Sequence, residues 1–217
     1  MQRRFRNRLE AGELLGATLQ QYALEQPVWV MGIPRGGVVV AYGVAKALKA
    51  PLDAIVARKI GAPNNPELGI GAISQGGVTL WNESLVNALN LSPTELERLR
   101  QKEALELTRR EHVYRGNRPL PNLQGVTVVV VDDGLATGIT AQAAVESVRR
   151  MGAKHTILAV PVCAPGSFEM MEGYVDRLLC LEQPDKFHAV GLWYVDFPQV
   201  SDEEVLAYID AANRWIK

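Results

Sequence analysis

The chain has 217 residues, 47% of them hydrophobic and 22% charged, with a formal net charge of −1. That length suits one α/β domain with a small appendage and ample apolar material for a core. The near-neutral total gives no sign of a nucleic-acid or membrane surface, and no stretch approaches the roughly 20 apolar residues of a membrane span.

Met1-Gln2-Arg3-Arg4-Phe5-Arg6 is basic but lacks the apolar centre of a signal peptide, so a cytoplasmic protein is expected. Arg3, Arg4, Arg6 and Arg8 read as a solvated arm rather than as phosphate ligands. The spacing of Ala11, Leu14, Leu15, Thr18, Leu19 and Tyr22 predicts an amphipathic helix over residues 10–22. Val28-Trp29-Val30-Met31 reads as a short strand, Gly32-Ile33-Pro34-Arg35-Gly36-Gly37 as a glycine loop, and Val38 to Leu48 as a helix. A glycine loop that opens a helix is an anion site, because the first-turn N–H groups are free and the helix dipole favours negative charge. Arg35 adds a forked cation beside Gly36 and Gly37. Ile33–Pro34 is the candidate for a cis peptide.

Leu52 to Ala57 predicts a further strand, ending in Arg58-Lys59. Two cations at a strand's carboxyl end are either phosphate ligands or solubility residues. Ile60 to Gln75, with Gly61, Pro63, Asn64, Asn65, Pro66, Gly69 and Gly71, reads as a mobile binding loop or lid. Glu67 is the carboxylate within it, a candidate for proton transfer or a surface residue with no role. Ile70–Ile73 and Val78–Trp81, split by Gln75-Gly76-Gly77, read as a hairpin. Residues 82–115 are expected to be mostly helical, with Ser92-Pro93-Thr94-Glu95 as a helix start and a charged, solvated face beyond it.

Val126 to Val131 is a nearly unbroken apolar run, the pattern of a strand buried on both faces. Asp132 and Asp133 follow, then Gly134-Leu135-Ala136-Thr137-Gly138-Ile139-Thr140, and then a helical face through Ala141, Ala144, Val145 and Val148. The small-residue turn is a second anion site at a helix start. Two carboxylates beside it would repel phosphate, so they should accept hydrogen bonds from the hydroxyls of the same ligand. A ribose 5-phosphate group fits both requirements.

Thr156 to Val162 and Arg177 to Leu181 read as two more strands, with Cys163-Ala164-Pro165-Gly166-Ser167 as a loop between them. Cys163 and Cys180 lie in apolar runs and read as buried free thiols, in keeping with a reducing cytosol. In Pro184 to Tyr194, Phe187 and the Trp193-Tyr194 pair are aromatics near the C-terminus, which usually serve the core or an interface. Ser201-Asp202-Glu203-Glu204 caps a final helix carrying Val205, Leu206, Ile209 and Ala212. The three histidines have no ligand spacing, and no zinc site, catalytic triad or Walker loop is present. The alternation of strands and helices predicts an open, mostly parallel sheet with helices on both faces, whose carboxyl edge would carry both glycine loops. Residues 82–120 would form a helical insertion and 183–217 a hood and helix, within a single domain spanning 1–217.

The run Val128 to Thr140 resembles the phosphoribosyl pyrophosphate (PRPP) signature of type I phosphoribosyltransferases, with Gly134 where that family more often has a larger apolar residue. The glycine there should loosen the loop. Gly32–Gly37 resembles the family's pyrophosphate loop, where xanthine- and guanine-type members carry a similar Arg-Gly-Gly. Arg58 and Lys59 resemble the basic pair of adenine-type members, and Pro184-Asp185-Lys186-Phe187 resembles the base-binding end of hypoxanthine–guanine members. No Lys follows the strand ending at Val162, which departs from the 6-oxopurine pattern. The resemblance implies transfer of the phosphoribosyl group from PRPP to a nitrogenous base or related acceptor, in the manner of nucleotide salvage. It assigns ribose and Mg²⁺ to Asp132 and Asp133, pyrophosphate to Arg35, Gly36, Gly37, Arg58 and Lys59, and the 5′-phosphate to Gly134, Leu135, Ala136, Thr137, Gly138 and Thr140. Phe187 or Trp193 would stack on the acceptor, and a homodimer is expected. The alternative is a non-catalytic regulator that senses PRPP or a nucleotide on the same fold. Such a regulator would need a basic surface for nucleic acid, against which the net charge counts.

Overall fold

A computed structural model describes residues 4–22, 24–116 and 118–215. In chain order the elements are α1 (Arg8–Gln20), β1 (Val28–Gly32), α2 (Gly36–Leu48), β2 (Leu52–Ala54), β3 (Ala57–Ala62), β4 (Asn65–Ser74), β5 (Val78–Trp81), α3 (Glu83–Ala88), α4 (Pro93–Arg115), β6 (Thr127–Val131), α5 (Ile139–Arg150), β7 (His155–Val162), α6 (Pro165–Glu172), β8 (Arg177–Glu182) and α7 (Asp202–Asn213), with a 3₁₀ turn at Val190–Trp193 before the last helix. Arg3, named with the basic arm, lies outside the described residues.

Five strands form a parallel sheet in the order β2-β1-β6-β7-β8. β6 lies at its centre, and the two faces of this strand explain its composition. Val129 and Val131 pack with α1, α2 and α7 through Leu15, Val44 and Ile209, whereas Val128 and Val130 pack with α5 through Ala144 and Val148. Alternate side chains enter opposite layers, so a strand covered on both sides carries no polar face. The chain runs outward from β1 to β2 and later returns to place β6 on the other side of β1. The crevice between β1 and β6 is therefore the topological switch point, where the loops leaving the two strands diverge and a ligand finds room.

The second sheet corrects the expectation of a mobile loop over Ile60–Gln75. β3, β4 and β5 form an antiparallel meander in which the hairpin turns at Pro63-Asn64, and the register shifts at Ile60/Gly61 and Gly61/Ala62. Its glycines are there for close approach rather than for motion. A Cβ on Gly61 would lie 2.4 Å from the carbonyl oxygen of Pro66, and one on Gly71 would lie 2.6 Å from the Trp81 ring. The strand expected to end at Ala57 ends at Ala54. Arg58 and Lys59 consequently lie inside β3 and not at the end of a strand of the main sheet.

Other boundaries differ less. The first helix begins two residues earlier than its apolar spacing indicated, at Arg8, because Asn7 caps it by accepting a hydrogen bond from the Glu10 N–H. The segment after β7, read as a loop, forms α6 with Pro165 in its first turn. The capping boxes of Ser92 with Glu95 and of Ser201 with Glu204 are both formed. Cys163 and Cys180 are free thiols.

Candidate active site

The site is built where the two glycine loops meet. The turn after β1 ends in Arg35, and Gly36 and Gly37 open α2, with a cis peptide at Pro34–Arg35 rather than at Ile33–Pro34. The loop after β6 carries Asp132 through Gly138. The two touch: a Cβ on Gly37 would lie 2.8 Å from the Val131 carbonyl oxygen, and one on Gly36 would lie 2.0 Å from Asp133 Oδ2. Both positions need glycine because another loop occupies the side-chain volume.

The loop after β6 is anchored at its far side and open at its tip. Leu135 is buried and bridges to Cys163, its N–H donating to the Val162 carbonyl at 2.9 Å. Ser167 Oγ donates to the Ala136 carbonyl at 2.7 Å. Ala136 and Thr137 are exposed, and Gly138 takes a φ of 75° to turn the chain into α5. No side chain caps α5, so its first-turn N–H groups face the cleft without an internal acceptor. Lys59, Asp132, Gly134, Thr137, Gly138 and Thr140 line this cleft, which has a volume of about 300 Å³. Lys59 reaches it by passing over Gly69 and donates to the backbone and carboxylate of Glu67 at 3.0 and 3.2 Å.

Neighbouring strand residues point to opposite faces, and this separates the expected basic pair. Lys59 faces the cleft, while Arg58 faces α4 and donates through Nε and Nη2 to Glu103 Oε2 at 3.0 and 2.6 Å. Arg35 is the half-buried N-cap residue of α2. Burial first, and then the Asp202 carboxylate, push the Tyr114 hydroxyl up from its ordinary value, and the charges of Arg110 and Arg35 oppose them.

The two carboxylates also part company. Asp132 borders the cleft, its Oδ1 accepting from the Asp133 N–H at 2.8 Å, whereas the Asp133 side chain turns to Arg8, whose Nε donates to Asp133 Oδ2 at 2.8 Å. Arg8 is thus no part of a solvated arm: it is 8% exposed, its Nη1 donates to the Pro198 carbonyl at 2.7 Å, and its guanidinium lies 3.6 Å from the centroid of the Phe197 ring. Composition concealed it among exposed Arg4 and Arg6. One signal was present, since a cation in the first turn of a helix opposes the helix dipole and needs another partner.

Burial raises the Asp132 carboxyl well above its ordinary value, and the Asp133 charge adds to this. Burial raises Asp133 too, opposed by Arg8. Among the described residues no three His, Cys, Asp or Glu side chains cluster as a metal site. An ion here would be completed by oxygens of the ligand and of water around Asp132, a hard donor that suits Mg²⁺.

The hood brings an aromatic correction. Trp193 is 7% exposed and Tyr194 4%, both packed with Phe5, Ala11 and Val162, so their rings are core rather than a stacking face. Phe5 and this segment pair through backbone, with the Phe5 N–H donating to the Trp193 carbonyl and the Val195 N–H to the Phe5 carbonyl, each at 2.8 Å. Tyr194 donates its hydroxyl to the Asp133 carbonyl at 2.7 Å. Phe187 is half-buried at the edge of the same cluster. Gly134 is likewise not a loosened point: a Cβ there would lie 2.7 Å from Val190 Cγ1 and 3.0 Å from Val162 Cγ1.

Comparison with known proteins follows the same lines. Residues 7–197 match the family described as phosphoribosyl transferase domain. A Mycobacterium tuberculosis (strain H37Rv) protein, provisionally named a phosphoribosyl transferase, is 43% identical over 210 residues, covering 97% of this chain and 47% of that protein. The chain therefore spans about half the length of the curated relatives it matches. Among solved structures, TT1426 from Thermus thermophilus is 40% identical with a TM-score of 0.80, over 95% of this chain and 97% of that one. The AQ2163 protein of Aquifex aeolicus shares the fold at 14% identity and a TM-score of 0.50, over 80% of this chain and 73% of that one. With both glycine loops, Asp132 and the cleft inside the matched span, the chain belongs to the phosphoribosyl transferase family.

Proposed function

We propose that the protein transfers the 5-phosphoribosyl group from PRPP to a nitrogenous base or related acceptor and releases pyrophosphate. One observation carries this reading: two glycine loops, leaving the sheet where the winding of the chain reverses, meet at the β1/β6 switch point with Asp132 between them. A ligand with phosphates at both ends of a sugar suits that arrangement. The open turn Thr137–Thr140 and the first N–H groups of α5 would take the 5′-phosphate. Asp132 would accept hydrogen bonds from the ribose hydroxyls and supply a protein oxygen to Mg²⁺, which when bound offsets charge on the pyrophosphate.

In the reaction the bond from the anomeric carbon to pyrophosphate breaks, the pyrophosphate leaves with the electron pair, and the acceptor nitrogen forms the new bond. Its proton passes to solvent. Positive charge builds on the sugar and negative charge on the leaving group, so positioning and charge stabilisation matter more than a strong base. Arg35 on the first loop and Lys59 on β3 are the cations assigned to the leaving group. Arg58 is assigned to α4 instead, given its pairing with Glu103. Glu67, beside Lys59, is nearest to a proton-transfer role, and Phe187 is the ring left for the acceptor to stack against.

The test is a pyrophosphate-release assay with PRPP, Mg²⁺ and a panel of purines, pyrimidines and related heterocycles. Release that depends on one acceptor and falls by ~100-fold or more in Lys59→Ala, a loss comparable with removing one donor to a developing charge, supports the reading. PRPP binding with no release for any acceptor would favour the sensing regulator.

A further inference from the structure

We propose that Arg8 is a positioning residue that holds Asp133 away from the ligand and leaves Asp132 as the one carboxylate of the pair offered to the sugar and its metal. The proposal rests on the reading of the cleft as a PRPP site, and it divides a pair of residues that sequence alone treats as equivalent.

The division is geometric. Asp132 lines the cleft and Asp133 does not. Asp133 Oδ2 is 2.8 Å from Arg8 Nε, with the two side chains 18% and 9% exposed. Arg8 is fixed on two further sides, by the Pro198 carbonyl at 2.7 Å and by the Phe197 ring. The Asp133 backbone is fixed by Tyr194 Oη at 2.7 Å. Its carboxylate also fills the space above Gly36. Four segments distant in sequence therefore converge on one ion pair: the start of α1, the first glycine loop, the second glycine loop and the hood.

The chemistry follows from charge. PRPP brings phosphates at both ends, and two neighbouring ionised carboxylates would repel them and each other. A guanidinium held beside one carboxylate cancels its charge in place and fixes its direction, so the other can meet the sugar. Stability alone is a poor reason for such a pair, because the desolvation of two charges offsets most of their attraction. The helix supplies no reason either, since Arg8 opposes its dipole. The pair keeps the two loops in register at the point where the ligand must bridge them.

The experiment measures PRPP binding by titration calorimetry with Mg²⁺ on the full chain, and KM and kcat in pyrophosphate release. Five variants are compared: Arg8→Met, Arg8→Lys, Asp133→Asn, Asp132→Asn and Arg8→Met with Asp133→Asn. Asp132→Asn should weaken PRPP by ~30-fold or more and Asp133→Asn by only about threefold, a gap of at least one tenfold step. Arg8→Met should raise KM for PRPP about tenfold with a smaller change in kcat, and removing the Asp133 charge as well should recover most of that loss, a coupling that a double-mutant cycle isolates. Arg8→Lys should recover part of it, since the charge returns without the fork or the stack. A pair that only staples the fold together would show this loss and recovery in the melting temperature while leaving KM for PRPP unchanged in Arg8→Met, an outcome that would also overturn the assignment. Equal losses in Asp132→Asn and Asp133→Asn, or an Arg8→Met loss unchanged in the double variant, would overturn the assignment while leaving the PRPP reading intact. Absence of PRPP binding in the wild type would overturn both. The comparison of the two Asp variants stands even if Arg8→Met does not fold.

Discussion

Burial and a like-charged neighbour both oppose ionisation of Asp132, and this has a consequence for the ligand-free protein. Its carboxyl is raised in the folded state. Between the ordinary value of about 3.9 and the raised one, the native state binds more protons than the unfolded chain. The stability associated with the group is therefore fully present below the unfolded value and is lost as pH rises through the folded value. Asp132→Asn removes the penalty at neutral pH, so the ligand-free variant should melt roughly 2–4 °C higher at pH 7, the shift that ~1 kcal/mol makes in a chain of this size. The advantage should shrink as pH falls toward 4, and calorimetry across that range measures it. A variant that melts lower at pH 7, or keeps the same advantage at pH 4, would contradict the sign. Gly36 gives a second prediction from a single atom. An added Cβ would stand 2.0 Å from Asp133 Oδ2 and 2.7 Å from Arg8 Nε, so Gly36→Ala must displace the ion pair. Overpacking of this kind costs about 1–3 kcal/mol, and the urea midpoint of Gly36→Ala should fall accordingly, with no such fall for Gly166→Ala, where a Cβ meets nothing within 4 Å.

At the scale of elements, what the sequence made legible was what local rules decide. The strand Thr127–Val131 announced itself because both of its faces are buried, and the two capped helices announced their starts through Ser92 and Ser201. The glycine loops were legible as turns into helices because a tight turn of this kind leaves its signature in neighbouring residues. The meander was misread because glycine has two uses, and only contacts from other parts of the chain tell them apart. Gly61 and Gly71 admit a neighbouring carbonyl and a tryptophan ring, and Gly134 admits Val190 from 56 positions along the sequence. The place of Arg8 in the first turn signalled the need for a partner, but the partners themselves were illegible for the same reason, since they lie at Asp133, Phe197 and Pro198. The Gly134 contact can be tested as a property of the hood. Gly134→Ile should lower the melting temperature by several degrees, since even its Cβ conflicts with Val190 Cγ1 and Val162 Cγ1. Val190→Ala should be mildly destabilising alone, yet should recover part of the Gly134→Ile loss. Additive losses in the double variant would show that the two side chains do not meet.

Over the whole molecule, the question is whether the charged helix α4 is an appendage or part of one folding unit. Its composition suggests the first, with exposed carboxylates and guanidinia in i,i+3 and i,i+4 pairs such as Glu97–Arg100. Its buried contacts argue the second. Arg58 of the meander reaches Glu103, Tyr114 donates to Asp202 Oδ1 of α7 at 2.5 Å, and Arg115 donates to Asp53 Oδ2 at 2.8 Å and to the Ala54 carbonyl at 2.9 Å. Leu107 and Tyr114 belong to the same apolar core as Val129 and Val131 of the central strand. The helix thus joins the meander, the main sheet and the final helix, and its last turn cannot leave without exposing that core. The Arg115–Asp53 pair, 7% and 13% exposed, is the deepest of these ties. Breaking a buried pair by removing one partner strands the other charge and typically costs about 3–5 kcal/mol. Arg115→Met should therefore lower the urea midpoint of the entire protein and not of the helix alone, with tryptophan fluorescence and far-ultraviolet dichroism moving together as a single transition. Loss of helical signal ahead of the fluorescence change would mean that α4 unfolds by itself, and that its contact with Arg58 can open while the parallel sheet stays intact.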